Sequence, residues 1–339
     1  MKLAVIGVFA VGMTASAYAH HSNDYHFDRS VSVTVTGTVK EFRFINPHAR
    51  LVVDVLGDGG DIVTWDCEMG AANGLKRRGW TDQVFQRGQA IEIQGFAARR
   101  HATECYFDYA DLEDGRRISM SSSFDRDVPG GAVAAKASGN VAARLGVPDF
   151  SRLWQRTAGG GGGGPRLGGP NNQAWVLSEA GKRALAAYDP VLDDPALQCS
   201  PVSIVRLWGN GDLTEIRQEA DLVAIHHEWM DADRTVYLGM SEHPPELAES
   251  VLGHSIGWYE GDTLVIDTVG YTAGMLHQHP GLPHSNKLHT VERLTLSEAG
   301  DRFELTYTAN DSEYFVDQLS GARSFAASTE EMRDYNCTH

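Results

Sequence analysis

Long hydrophobic runs are missing from this sequence. The main apolar stretch, Leu3 to Gly12, is well short of the roughly 20 residues that span a bilayer, so no integral membrane segment is expected in the processed chain. Basic charge is scarce, with 29 Lys and Arg against 45 Asp and Glu. An acidic chain of this kind repels nucleic acid and anionic lipid, and short basic clusters such as Lys76-Arg77-Arg78 and Arg99-Arg100 do not reverse that balance. Cysteine is limited to four residues, none in a C-x-x-C pair, which argues against zinc-ribbon and thioredoxin-type sites. There is no βαβ alternation, no P-loop and no G-x-G-x-x-G following a strand. Nucleotide cofactors are therefore unsupported, and no nucleophile elbow of the α/β-hydrolase kind is expected.

What is present begins with a leader. Lys2 supplies a positive end, Leu3 to Gly12 a short apolar core, and Ala17-Tyr18-Ala19 an A-x-A cleavage site, the order of parts in a secretory signal peptide. Removing residues 1–19 leaves 320 of 339 residues. With Lys2 gone, 28 basic groups face 45 acidic ones, a net charge of −17 in place of −16. No cysteine stands at the cut, so no lipoprotein anchor is expected, and the product should be periplasmic or secreted. In such an oxidising compartment an even cysteine count reads as disulfides. Cys67, Cys105, Cys199 and Cys337 admit three connectivities. Pairing within each half gives Cys67–Cys105 and Cys199–Cys337, the second joining the two ends of the rear half.

Strand patterns dominate the rest. Val31, Val33 and Val35 alternate with Ser and Thr. Leu51 to Leu56, Ile62 to Cys67, Gln89 to Phe96 and Tyr106 to Leu112 follow, with a helical or irregular excursion over Asn73 to Phe85. Five strands with one helical interruption fit a small OB-type barrel. The run Gly159 to Gly164 marks a flexible linker. Beyond it come a short helix over Ser178 to Tyr188 and strands at Asp221–Trp229, Thr235–Met240, Ser255–Tyr259, Thr263–Val269, Leu288–Leu296 and Phe303–Thr308. Consecutive strands at short spacing argue for an antiparallel barrel or sandwich. The expected protein is mostly β: a signal peptide at 1–19, an OB-like domain at 20–125, a Gly-rich linker at 126–177 and a barrel-like domain at 178–339.

Several motifs in order, His20-His21-Ser22, Gly37-Thr38-Val39, Asn46-Pro47-His48, Trp65-Asp66-Cys67-Glu68-Met69-Gly70 and Lys76-Arg77-Arg78-Gly79-Trp80, resemble an uncharacterised exported bacterial domain family whose members open with His-His-Ser and carry Asn-Pro-His. The resemblance covers about residues 20–120 and departs at Asn23 and Ala71-Ala72-Asn73. The rear half is similar to a companion domain through Asp194-Pro195-Ala196-Leu197-Gln198-Cys199, Ser255-Ile256-Gly257 with Glu260-Gly261-Asp262-Thr263-Leu264-Val265, and Leu288-His289 with Val291-Glu292-Arg293. Neither resemblance implies an established chemistry.

Cleavage after Ala19 would expose His20, whose amine and imidazole together form a chelate suited to copper. His21, His26 and His48 supply further imidazoles, and His48 follows the rigid Asn46-Pro47 turn. A Cu(II) brace takes the terminal amine, the imidazole of the same residue and one more imidazole, an arrangement matching copper's tetragonal preference. His20, His21 and His48 are the candidate metal ligands; the plainer reading leaves them as terminal and turn residues. In the rear half, Val223, Ile225, His227 and Trp229 share one face of a strand, so His227 should point inward and Glu228 away. His289 shares a face with Val291, and Glu292 one with Leu288 and Leu294. An inward His and carboxylate on neighbouring strands would make an acid–base pair, and His227, Glu228 and His289 are the candidate catalytic residues. His277 and His279, in a Pro- and Gly-containing loop, could hold one ion. Three function classes follow. The leading one is a periplasmic protein binding copper or a small ligand through the N-terminal His chelate. The second is a lyase, isomerase or hydratase acting on an apolar small molecule in the rear barrel. The third is an interaction module without small-molecule chemistry.

Overall fold

The computed structural model describes residues 23–57, 59–125, 141–157, 176–277 and 281–338. The expected signal peptide, His20, His21, the glycine run and His279 lie outside the described residues.

The front domain comprises α1 (Asn23–His26), β1 (Phe27–Arg43), β2 (Arg50–Leu56), β3 (Ile62–Glu68), α2 (Ala72–Lys76), β4 (Ala90–Ala98), β5 (Glu104–Leu112) and β6 (Arg117–Ser119). The first part of β1 pairs with β4 and its last part with β2. Gly37 stands where β1 passes closest to β2: a Cβ there would lie 2.4 Å from the Asp54 carbonyl oxygen, so any side chain would push β2 away. Parallel pairing of β3 with β5 closes the order β3-β2-β1-β4-β5 into a five-stranded barrel, with α2 between β3 and β4. This is the expected OB-type arrangement. Cys67 and Cys105 face each other across the closing seam and are disulfide-bonded. Inward side chains such as Val35, Leu51, Val53, Ile93 and Phe107 form the core, with Trp80 and Phe85 packed edge to face against it.

The rear domain comprises α3 (Val141–Leu145), β7 (Arg152–Arg156), α4 (Glu179–Ala187), α5 (Ile204–Gly209), β8 (Leu213–Gln218), β9 (Leu222–His227), β10 (Ala232–Tyr237), β11 (His254–Glu260), β12 (Thr263–Val269), β13 (Gly274–His277), β14 (Leu282–His284), β15 (Leu288–Leu296), β16 (Arg302–Asp311) and β17 (Leu319–Ala327). Nine of these strands form a closed barrel in the order β10-β11-β12-β15-β16-β17-β7-β8-β9, while β13 and β14 make a separate hairpin. Every barrel pair is antiparallel except β10–β11. Closure removes the exposed edges that an open sheet would present. As expected, Ser178 caps α4, its side chain accepting from the Gly181 N–H, and the Gly261 turn joins β11 to β12. The linker expectation needs correction. Strand β7 lies within 126–177 yet bridges β17 and β8, so this stretch supplies part of the barrel wall.

Helix α5 packs Ile204, Val205 and Trp208 into the barrel core. Its Trp208 packs edge to face on His227 and Phe325. After β17 the chain leaves the barrel and returns to the front domain, where Cys337 bridges to Asn46 and the Thr338 N–H donates to the Asn46 carbonyl. The disulfide Cys199–Cys337 therefore does more than close the rear half, because it fastens this tail between the two domains. An apolar cluster of Ala196, Val202, Leu207, Trp229 and Tyr335, with Ala71 of the front domain against it, fills the junction. No helix among the described residues is long and apolar enough to cross a membrane.

Candidate functional site

The two domains leave a cleft of about 940 Å³ between them, lined by Pro47, His48, Arg77, Asp194, Arg206 and Trp229 among others. Clefts of this size at domain junctions are common ligand sites. His48 enters its wall from the β1–β2 loop, directly after the cis Asn46–Pro47 bond. Its Nδ1 lies 3.2 Å from Oε1 of Glu68 at the end of β3, and Arg50 Nη1 lies 3.5 Å from the other carboxylate oxygen. Register explains the meeting: Arg50 and Glu68 are cross-strand partners, and His48 is two residues before Arg50.

Burial dominates the electrostatics of this pair. It pushes the Glu68 carboxyl up to about 7, with Arg50 opposing, and His48 down to about 4, with Arg50 adding to the shift. Glu68 therefore titrates in the neutral range while His48 stays neutral there. Above about pH 7 Glu68 is ionised, and a carboxylate facing Nδ1 at 3.2 Å favours the hydrogen on that nitrogen, which leaves Nε2 as the lone-pair site. Below that point the neutral carboxyl no longer favours the Nδ1–H tautomer. A carboxylate behind one imidazole nitrogen thus sets whether the other can accept a hydrogen bond or proton, or bind a metal. His26 lies close enough to Glu68, His48 and Asp194 to feel their charges, and burial lowers its pKa. Its buried Nε2 has no hydrogen-bond partner among the described residues.

The opposite wall is held by charge. Arg206 of α5 makes two hydrogen bonds to Asp194, at 2.8 and 3.3 Å, both side chains being buried. Arg77, following α2, donates to Asp212 at 3.0 Å and also to Glu228, and the Asn73 side chain donates to Glu228 at 2.8 Å. Glu228, expected to be an acid–base group, is instead the buried centre of this latch between the domains. Burial raises its pKa, against the opposing charge of Arg77.

The other two candidate catalytic residues lie elsewhere. His227 points into the barrel, with Nδ1 2.9 Å from the Thr214 hydroxyl and Nε2 buried without a hydrogen-bond partner among the described residues. Burial, with Arg234 and His226 adding to it, lowers its pKa to about 3. His289 lies on the outer face of β15, where its Nε2 is 2.8 Å from Asp267, and Asp267 also meets His243 at 2.9 Å. The hydrogen bond to Asp267 raises the His289 pKa. His227, Glu228 and His289 therefore occupy the core, the domain junction and the outer wall, and form no common site. The inward carboxylate Glu292 is bound by Arg234 at 3.0 Å and also by Trp208, so it does not pair with His227. The pentapeptide Gly253-His254-Ser255-Ile256-Gly257 has G-x-S-x-G spacing, but Ser255 lies within strand β11, buried, with its hydroxyl bound to Arg234 and Thr268. It sits on no elbow.

No group of three or more His, Cys, Asp or Glu among the described residues is arranged to hold a metal ion. His277 ends β13, and His284 is buried in β14 with Nδ1 3.0 Å from the Ser285 carbonyl. Sequence reasoning missed Glu68, Asp194, Arg206 and Arg77. The signal for Glu68 was available: an antiparallel hairpin running from His48 through β2 to Trp65-Asp66-Cys67-Glu68 brings its two ends together.

Comparison with known proteins adds the following. Residues 8–106 match a family of unknown function (DUF6152), less than half of the chain. No curated protein matches. Among solved structures, the chain is similar to wild-type fluorescent protein UnaG at 13% identity, covering 53% of this chain and 97% of that one, with a TM-score of 0.24. It is also similar to a secretory abundant heat soluble protein from Ramazzottius varieornatus at 12% identity, covering 53% and 95%, with a TM-score of 0.22. Overlap this low leaves the chain's own geometry as the guide to function.

Proposed function

We propose that this protein binds a small ligand in the cleft between its two domains, with His48 as the polar anchor. One observation carries the reading: His48 stands on the cleft wall with a buried carboxylate, Glu68, behind its Nδ1. Strongly shifted groups lining a cleft mark functional sites. The aromatic and aliphatic lining supplied by Phe96, Tyr106 and Leu197, all partly exposed, suits an organic ligand, while His48 and the cleft arginines suit its polar end. Two disulfides fit export to an oxidising periplasm. Ligand-observed NMR screening of a fragment library against the wild type and His48→Ala tests the reading. Hits lost in the variant are expected; hits that all survive it contradict it.

A copper-binding reading is favoured by one further observation. His26 lies beside His48 and Glu68, and at most about 3.6 Å of chain per residue separates it from His20 and His21, so a processed N-terminus starting at His20 has His48 within reach. Copper would then take the terminal amine and imidazole of His20 with His48 Nε2, and Glu68 would orient the His48 ring. Cu(II) titration followed by EPR, on the native N-terminus and on a form extended by one residue, tests this. Weaker binding and a changed spectrum in the extended form are expected; identical behaviour contradicts the chelate.

A further inference from the structure

An arginine inside a protein normally has a carboxylate partner, because an unpaired buried charge is costly. Two buried arginines of the rear domain obey this rule, Arg206 with Asp194 and Arg234 with Glu292. Arg323 does not. It lies on β17, 3% exposed, and strand alternation puts it on the inner face with Gly321 and Phe325. Its guanidinium donates through Nη1 to its neighbour's carbonyl, Ala322, at 2.7 Å, and no carboxylate pairs with it among the described residues.

A second cation stands beside it. Arg156 of β7 is the cross-strand partner of Phe325, so it shares the inner face and is a diagonal neighbour of Arg323. It is half-buried, and its Nε donates to the Asn210 carbonyl at 3.3 Å. Burial and the charge of Arg323 together lower its pKa. On the other side, Tyr307 of β16 is the partner of Gly321. A Cβ on Gly321 would lie 2.4 Å from the Tyr307 hydroxyl, so the tip of the ring rests on the β17 backbone two residues from Arg323. That hydroxyl is buried without a hydrogen-bond partner among the described residues. The inward carboxylate on the next strand, Glu292, is opposite Tyr307 but is taken by Arg234 and Trp208.

We propose that Arg323, Arg156 and Tyr307 form an anion site on the inner barrel wall, which takes the carboxylate or phosphate group of a small organic anion. Two guanidinium groups and a phenol hydroxyl share one inner face of neighbouring strands, and both anions match guanidinium geometry. Arg156 is the partly exposed member of the group. Arg156 faces the barrel, while its neighbour Gln155 and its hydrogen-bond partner Asn210 line the interdomain cleft, so the site backs onto the cleft wall.

The test uses the full processed chain in buffer free of phosphate and carboxylate. Melting temperature and calorimetric titration are followed with inorganic phosphate, with octanoate, and with octanol and matched NaCl as controls. At least one anion is expected to bind and raise the melting temperature, with neither control doing so, and the anion that acts identifies the head group. Arg323→Met is expected to melt higher than the wild type in anion-free buffer and to lose the anion response. Arg156→Gln should weaken binding at least tenfold. Absence of an anion effect on the wild type, or an undiminished effect in Arg323→Met, overturns the proposal. Should Arg323→Met fail to fold, unchanged affinity in Arg156→Gln overturns it equally.

Discussion

His227 should make the protein acid-sensitive, by an amount the structure sets. The imidazole is 2% exposed, bound at Nδ1 to Thr214 and packed on Trp208 at 4.7 Å between ring centroids. Burial holds it neutral, with a pKa lowered from 6.5 to about 3. The unfolded chain takes up this proton below about pH 6.5, while the folded chain refuses it until about pH 3. Stability is therefore intact above that window and is lost as pH falls through it, at about 1.4 kcal/mol per unit. Between pH 6.5 and 5 this amounts to roughly 2 kcal/mol, and on the order of 5 kcal/mol at the acid limit. Other groups titrate there too. His48, also lowered, acts with the same sign, and Glu68, whose raised pKa makes the folded state bind its proton more readily, acts with the opposite one. Both are shared by the wild type and His227→Gln, so they cancel in the difference. Urea unfolding of the two proteins across this range should show the wild type losing about 2 kcal/mol more than the variant by about pH 5. Parallel pH profiles would refute the reasoning, whatever the variant's stability at neutral pH.

Arg77→Ala should leave Glu228 and Asp212 buried without their counter-charge and cost about 3–5 kcal/mol in denaturant unfolding; a loss below 1 kcal/mol would remove the latch from the account. Replacing Cys199 and Cys337 with Ala should destabilise the chain by roughly 5 kcal/mol in the chain-entropy estimate for a separation of 138 residues, and limited proteolysis should then cut the tail near Tyr335 first. Ligands that bind through the His48 Nε2 lone pair should lose affinity as pH falls through about 7, where Glu68 takes up its proton. Calorimetric titration on both sides of that value checks this, and Glu68→Ala should flatten the profile.

The sequence was most legible where inward positions are apolar. Val223, Ile225, Leu264, Ile266, Leu288 and Leu294 marked three barrel strands by period 2, and the front barrel was readable in the same way. Strands β8 and β17 were missed because their inward positions are Thr214, Ile216 and Gln218 in one and Leu319, Gly321, Arg323 and Phe325 in the other, too polar to show the alternation. Strand β7 is five residues long beside the glycine run, so composition hid it. Strand β10 starts three residues earlier than expected, because a left-handed turn at Met230 and Asp231 brings the chain back sooner. For the site, face parity correctly turned His227 inward, but parity does not say which strands become neighbours. Arg234, on β10, reaches Glu292 across the barrel and leaves His227 with Thr214. Glu228 follows its strand's last residue, where parity no longer governs direction, and its partners come from the other domain. His48 was legible because Asn46-Pro47 announces a turn. Its partner Glu68 required the β2–β3 register.

The most direct test of the cleft as the functional site is the imidazole 15N spectrum of the protein at about pH 8, recorded while a fragment hit is titrated in. His48 should begin as the neutral Nδ1–H tautomer, and its Nε2 resonance should move in step with saturation while His227 and His289 stay fixed. A His48 signal that remains still while His227 or His289 responds would contradict the account.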